Sequence, residues 1–320
     1  MLATRWAQAS RSRYGGHKGS NRRMPRITTD DDVGLYYEEV GTGDPILFMH
    51  EFGGHHLSWE PQLRHFSRRY RCISYAARGW PPSDVPERTE AYSQARAADD
   101  AAAVLKALGI EKAHLVGLSM GATAALEFGI RHPALAHSLT AAAAGSGAST
   151  DPAAKRRFQD DCAAFAARIE REGMPAMAEL YCASPARATY RDKDPRGWAE
   201  FKQQFAAGSA LGHARTMLGV QGRRAPLFER QAELAAIPVP VLVIAGDDDD
   251  STLEVALFLK RTIPRCGLSM LPKTGHGINL EEPAAFNAIL EDFIHNVERG
   301  RWGQSPVVVG KSYTLVPRDK

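Results

Sequence analysis

The chain has 320 residues, 44% of them hydrophobic and 24% charged, the composition of an ordinary globular protein long enough to bury a sizeable core. Its net charge of +3 is unevenly placed: residues 1–23 carry six cations (Arg5, Arg11, Arg13, Lys18, Arg22 and Arg23) and no acid, so the remainder stands at −3. A mildly acidic body gives no reason to expect a nucleic-acid partner, and no run approaches the roughly 18 apolar residues that would cross a bilayer.

Residues 1–23 read as a basic extension, with Met24 opening the structured part. Their Arg and Ser content also suits a transit peptide, but the apolar stretch of a secretory signal is missing. Short strand-like runs then alternate with helical ones, as in a parallel sheet with helices on both faces. Val33–Val40 and Ile46–His50 read as strands joined by Gly41-Thr42-Gly43-Asp44-Pro45. A helix is expected around Trp59–Arg69 and a strand near Arg71–Ala76. Ser93–Leu108 has helical spacing and is ended by Gly109. A strand over Ala113–Leu118 leads into a small-residue helix over Gly121–Ile130, and Ser138–Ala144 reads as another strand.

The pattern then changes. Residues 151–236 show only helical stretches, among them Asp151–Arg171 and Pro195–Ala207, and read as a helical lid inserted between two sheet strands. Alternation resumes with a strand at Val239–Ala245, a helix at Leu253–Arg261, a strand at Cys266–Leu271 and a closing helix at Pro283–Glu298. The expected organisation is a core of residues 24–150 and 237–299, the lid of 151–236, and a tail of 300–320 without an obvious partner element. Cys72, Cys162, Cys182 and Cys266 are scattered, without metal-ligand spacing, which suits buried free thiols and a reducing, cytoplasmic setting.

The strongest chemical signal is Gly117-Leu118-Ser119-Met120-Gly121, placed after a strand and opening a helix, the context that G-x-S-x-G requires. Two glycines let strand and helix nearly touch, lifting the Ser119 hydroxyl above the sheet edge. A serine hydroxyl needs a base, oriented in turn by a third group, and in this architecture acid and then histidine follow later strands. His276, between two glycines in a post-strand loop, is the candidate base. Four aspartates, Asp247 to Asp250, compete for the role of acid. The oxyanion needs preorganised N–H donors; the backbone of Met120 offers one, and the loop His50-Glu51-Phe52-Gly53-Gly54 offers a second, with Phe52 as the natural candidate.

These motifs resemble the α/β-hydrolase superfamily, in its lidded branch of small esterases, enol-lactone hydrolases, cofactor-free haloperoxidases and carbon–carbon bond hydrolases. The resemblance runs from about residue 30 to 298. It implies an α/β-hydrolase fold, a mostly parallel sheet flanked by helices with an inserted helical lid. Its spacing selects Asp249, the third residue after Gly246, with Asp248 as the alternative. Ala77-Arg78-Gly79-Trp80-Pro81-Pro82-Ser83-Asp84 is similar to that branch's D-x-R-G-x-G-x-S loop, with Ala76 where an Asp is common. His50-Glu51 stands where His-Gly is usual.

His55, His56 and Trp59 read as helix-start surface residues. Trp198, Phe201 and Phe205 share one helical face and, with Tyr181 and His213, read as packing before substrate contact. Neither Asp30-Asp31-Asp32 nor the later aspartate run has a histidine or cysteine to complete a metal site, so neither metal nor cofactor is expected. The expected activity is hydrolysis of an ester-like or lactone bond in a small molecule by a Ser119–His276–Asp249 triad. The same groups would also serve carbon–carbon bond hydrolysis or perhydrolysis, and a ligand-binding receptor on the same scaffold is the non-enzymatic alternative. Oligomeric state is not legible in the sequence.

Overall fold

The computed structural model describes residues 24–304 except Ser146 and Ala148; the basic extension 1–23 and most of the tail therefore lie outside the described residues. The strand-forming runs become β1 (Arg26–Thr28), β2 (Gly34–Val40), β3 (Pro45–Met49), β4 (Arg71–Tyr75), β5 (Ala113–Leu118), β6 (Ala136–Ala142), β7 (Val241–Gly246) and β8 (Cys266–Leu271). They form one eight-stranded sheet in the order β1-β2-β4-β3-β5-β6-β7-β8. The pairs β1–β2 and β2–β4 are antiparallel, and from β4 to β8 every pair is parallel.

The central strands are buried along their whole length, as expected where helices cover both faces of a parallel sheet. Strand alternation sends successive side chains to opposite layers. Leu47, Ile73, Leu115 and Val243 pack with α2 (Gln94–Ala107), α3 (Met120–Arg131) and α9 (Asp250–Thr262). Ile46, Phe48, Val116, Leu242 and Ile244 pack with α1 (Glu60–Phe66) and α11 (Pro283–Glu298).

Between β6 and β7 the chain forms only helices: α4 (Pro152–Cys182), α5 (Ala188–Lys193), α6 (Pro195–Ala206), α7 (Ala210–Thr216) and α8 (Gln231–Ala235). Asp151 caps α4 through Ala154 N–H at 2.8 Å. That helix bends at Gly173, whose φ of 77° interrupts it two residues before Pro175, which explains why the helical pattern in the sequence stops near Arg171. A four-residue helix, α10 (Ile278–Glu281), precedes α11. Among the described residues no helix is long and apolar enough to cross a membrane. All four cysteines are buried and unpaired.

Two sequence expectations are corrected. Trp59 and His56 are buried, not surface residues; the Trp59 ring lies 5.1 Å from Phe48 and 6.0 Å from Phe286 because the turn His56–Trp59 dips into the sheet layer before α1 starts. The start of the tail does have a partner. Trp302 packs 4.6 Å from the Phe293 ring, and its indole N–H donates to the Arg265 carbonyl at 2.9 Å. The three-residue β1 was not anticipated, being too short to show a period.

Candidate active site

Ser119 directly follows β5 and is the N-cap of α3, with φ 54° and ψ −109°. A non-glycine residue in that region is strained and persists only where its surroundings impose it. Here they do. A Cβ on Gly117 would collide with the Gly121 backbone, and one on Gly121 with the Met49 carbonyl. The glycines thus let α3 start hard against β3 and β5, and Ser119 N–H is tied to the Ala142 carbonyl at 2.8 Å. A serine at an N-cap ordinarily turns its hydroxyl onto the helix; Ser119 makes no such cap. Its hydroxyl stands at the positive end of α3, and Met120 N–H, in the first turn, belongs to the donors that have no partner within the helix.

His276 and Asp249 meet at the same edge of the sheet. His276 Nδ1 is 2.6 Å from Asp249 Oδ2, and the Asp249 side chain is almost fully buried. Burial alone would raise the Asp249 carboxyl, but the hydrogen bond and charge of His276, with Ser251 and Thr252, bring it below the usual range. An ionised carboxylate only accepts, so Nδ1 carries a proton, and whenever the imidazole is neutral the lone pair is on Nε2. Backbone bonds join the two loops: Asp247 N–H donates to Leu271 and Asp248 N–H to Thr274, at 3.1 and 3.0 Å. Asp248 instead turns its carboxylate toward Lys273, 3.8 Å away. The geometry therefore pairs the imidazole with Asp249 and not with the alternative.

The third loop carries Phe52. Its ring is enclosed by Trp80, Tyr181, Phe205 and His213, with centroids 5.2–6.1 Å away, which fixes the adjoining backbone. His50 Nδ1 lies 2.7 Å from the Glu51 carbonyl, and Nε2 accepts from Ala77 N–H at 3.0 Å. Burial, opposed by the Glu51 carbonyl, pulls His50 down to about 4, so it is a neutral strut. Arg78, in the next loop, is held by Asp100 and Asp31. Phe52 and Met120 share one apolar cluster with Ile169, Met174, Met177, Ala214 and Val220, so side chains of the helical insertion join those of both candidate donor residues in one core.

The region 44–283 matches the family model described as alpha/beta hydrolase fold. The chain belongs to the α/β-hydrolase fold family. It is 30% identical over 257 residues to 3-oxoadipate enol-lactonase 1 of Acinetobacter baylyi, covering 79% of this chain and 89% of that one. It is also 30% identical over 270 residues to a putative carbamate hydrolase RutD of Agrobacterium fabrum, covering 81% and 98%. Among solved structures, a thermophilic esterase from Thermogutta terrifontis superposes with a TM-score of 0.77 at 25% identity, covering 86% of this chain and 99% of that one.

Sequence reasoning missed one feature of this α/β-hydrolase. Glu51, where a glycine is usual in the resemblance, is buried in an ion pair with Arg187 of the insertion; Arg187 Nη1 donates to Oε1 at 3.1 Å, and Nη2 donates to Oε2 and to Tyr181 Oη. The guanidinium lies 4.7 Å from the Tyr181 and Phe201 ring centroids. Burial would raise the Glu51 carboxyl, but Arg187 and then His276 bring it below its ordinary value. Ala186 accepts from His276 N–H at 2.8 Å. Adjacent residues of the insertion thus grip the loops of Phe52 and of His276. Tyr181 and Phe201 serve this grip, Phe205 and His213 pack on Phe52, and the Trp198 indole donates to the Cys182 carbonyl at 3.2 Å. The only signal in the sequence was the departure at Glu51.

Proposed function

We propose that this protein is a serine hydrolase acting on an ester-like or lactone bond of a small molecule through an acyl-enzyme. The observation that carries the reading is the His276–Asp249 hydrogen bond of 2.6 Å at the sheet edge where strained Ser119 opens α3. The enol-lactonase and carbamate hydrolase relatives support hydrolysis of that type.

In this reading His276 Nε2 takes the Ser119 hydroxyl proton as Oγ attacks the carbonyl carbon. The oxyanion accepts hydrogen bonds from Met120 and Phe52 N–H. Collapse expels the alcohol or enol oxygen, which receives the proton back from His276. Water, deprotonated by His276, then attacks the acyl-enzyme and releases the acid and free Ser119. Asp249 holds the imidazole tautomer and stabilises its charged form. The insertion acts as a lid over Phe52 and Met120 that excludes water and shapes the acyl pocket. No cofactor takes part.

Steady-state release of p-nitrophenol from a short-chain aryl ester tests this. The wild type is expected to turn over, and Ser119→Ala to lose the activity while keeping its circular dichroism spectrum. Undiminished turnover in Ser119→Ala would overturn the reading, and tight ligand binding with negligible turnover would point to a receptor.

A further inference from the structure

The segment that follows α7 returns toward the core through the turn Met217–Gln221, and Arg224 N–H is anchored on the Val220 carbonyl. Most arginines here answer a carboxylate; Arg224 does not. Among the described residues its one side-chain hydrogen bond runs from Nη1 to Thr123 Oγ1 at 3.0 Å, and its Nε is buried with no acceptor. No carboxylate of the described residues pairs with it, and the nearby Cys162 thiol, which burial pushes up to about 11, is uncharged at neutral pH. Burial without a counter-charge pulls the guanidinium down to about 10, which still leaves it cationic at neutral pH.

Its position is defined from two sides. Thr123 lies one helical turn beyond Ser119 on α3, with Thr123 N–H on the Ser119 carbonyl at 3.0 Å. On the other side run Gly145 and Gly147, just past β6, whose Ala142 carbonyl holds Ser119 N–H. A Cβ on Gly147 would stand 2.5 Å from Arg224 Nε, and one on Gly145 3.8 Å from Nη2. These two glycines leave room for the arginine. Arg224 thus stands between the first turn of the nucleophile helix and the loop beside it, at the foot of the insertion. Its outer side borders a cleft of about 370 Å³ lined also by Gln94, Arg223, Arg230 and the carboxylates of Glu90 and Glu127; Glu127 is taken by Arg230, and Gln94 Nε2 also lacks an acceptor.

Arg224 is half-buried, but a guanidinium whose Nε is buried without an acceptor is still costly, and removing it ordinarily does not destabilise a fold. Its retention beside a nucleophile is explained if the partner arrives with the substrate. We infer that Arg224 binds a carboxylate carried on the acyl portion of the substrate, so that the preferred substrates are half-esters or lactones of dicarboxylic acids. This deepens the serine-hydrolase reading and rests on it. A charge-assisted bond to a partly desolvated guanidinium is expected to favour the anionic substrate by about ten- to hundredfold.

The test uses p-nitrophenyl hydrogen glutarate and its methyl ester, which differ in one charge, with p-nitrophenol release measured at pH 7. The wild type is expected to prefer the anionic ester at least tenfold in kcat/KM, and Arg224→Met to cut that ratio about ten- to hundredfold, with Arg224→Lys keeping part of it. Free glutarate should compete with the neutral ester and raise the wild-type Tm but not that of Arg224→Met. With glutarate absent, Arg224→Met should melt no lower than the wild type, since no ion pair is lost. Equal kcat/KM for the two esters, an unchanged ratio in Arg224→Met, or non-competitive glutarate bound only in the outer cleft would each overturn the inference while Ser119 turnover stands. Failure of both esters together with no Ser119 acylation would instead bring down the hydrolase reading, and this inference with it.

Discussion

Replacing Arg187 with methionine tests how the helical insertion is fastened to the loops beneath it. The side chains of Arg187 and Glu51 are only 2% and 1% exposed, so the substitution leaves a carboxylate in a dry site. Breaking a buried pair in this way costs about 3–5 kcal/mol. At ~2 cal/mol/K per residue, a chain of this length unfolds with an entropy near 0.6 kcal/mol/K, so the loss corresponds to about 5–8 °C in Tm. The cost depends on pH with a definite sign. In the wild type the Glu51 carboxyl lies below its ordinary 4.5, so its contribution is present above that value and disappears as pH falls through the folded one. Without Arg187, burial raises the folded carboxyl above the unfolded one, and the variant gains stability as pH falls. The gap in Tm should therefore be largest near pH 8 and narrow toward pH 5. Met at both positions should recover most of the loss, because no charge is left unpaired. Thermal melts of the wild type, both single variants and the double variant at the two pH values decide it. Single variants within about 1 kcal/mol of the wild type, or a loss independent of pH, would refute the reasoning.

Three further outcomes follow from the site. Ser119→Gly should be inactive yet more stable by about 1 kcal/mol, because glycine relaxes the positive φ, read as an upward shift in denaturant midpoint; a lower midpoint would mean the elbow is not strained. Asp249→Asn should reduce kcat on the order of 10⁴-fold, since the amide no longer fixes the imidazole tautomer. Asp248→Asn, whose carboxylate faces only the exposed Lys273 among the described residues, should stay within about threefold of the wild type; the reverse ranking in steady-state kinetics would exchange their roles.

The nucleophile turn was legible in the sequence because its requirements are local. Two glycines flank Ser119 where strand meets helix, and their side chains have no room. The short, mostly apolar runs of β3, β5 and β7, buried along almost all of their length, were legible for the same reason. His276 stood out between glycines, but the choice among four consecutive aspartates needed the backbone bonds of Asp247 and Asp248 to the histidine loop, which turn Asp248 outward and Asp249 inward. The Glu51–Arg187 pair spans 136 positions, and no periodicity links its members. Trp59 misled because a 3-10 turn, not a surface helix start, carries it into the core. Arg224 drew no notice because in sequence it is one cation among forty; what sets it apart is that, among the described residues, no carboxylate pairs with it.

Covalent labelling reaches the central claim most directly. A fluorophosphonate probe, followed by proteolysis and mass spectrometry, should leave one adduct, on the peptide bearing Ser119, and His276→Gln should slow its formation by several orders of magnitude with the fold intact. An adduct on any other residue, or labelling of folded His276→Gln at the wild-type rate, would contradict a hydroxyl at this turn activated by that imidazole.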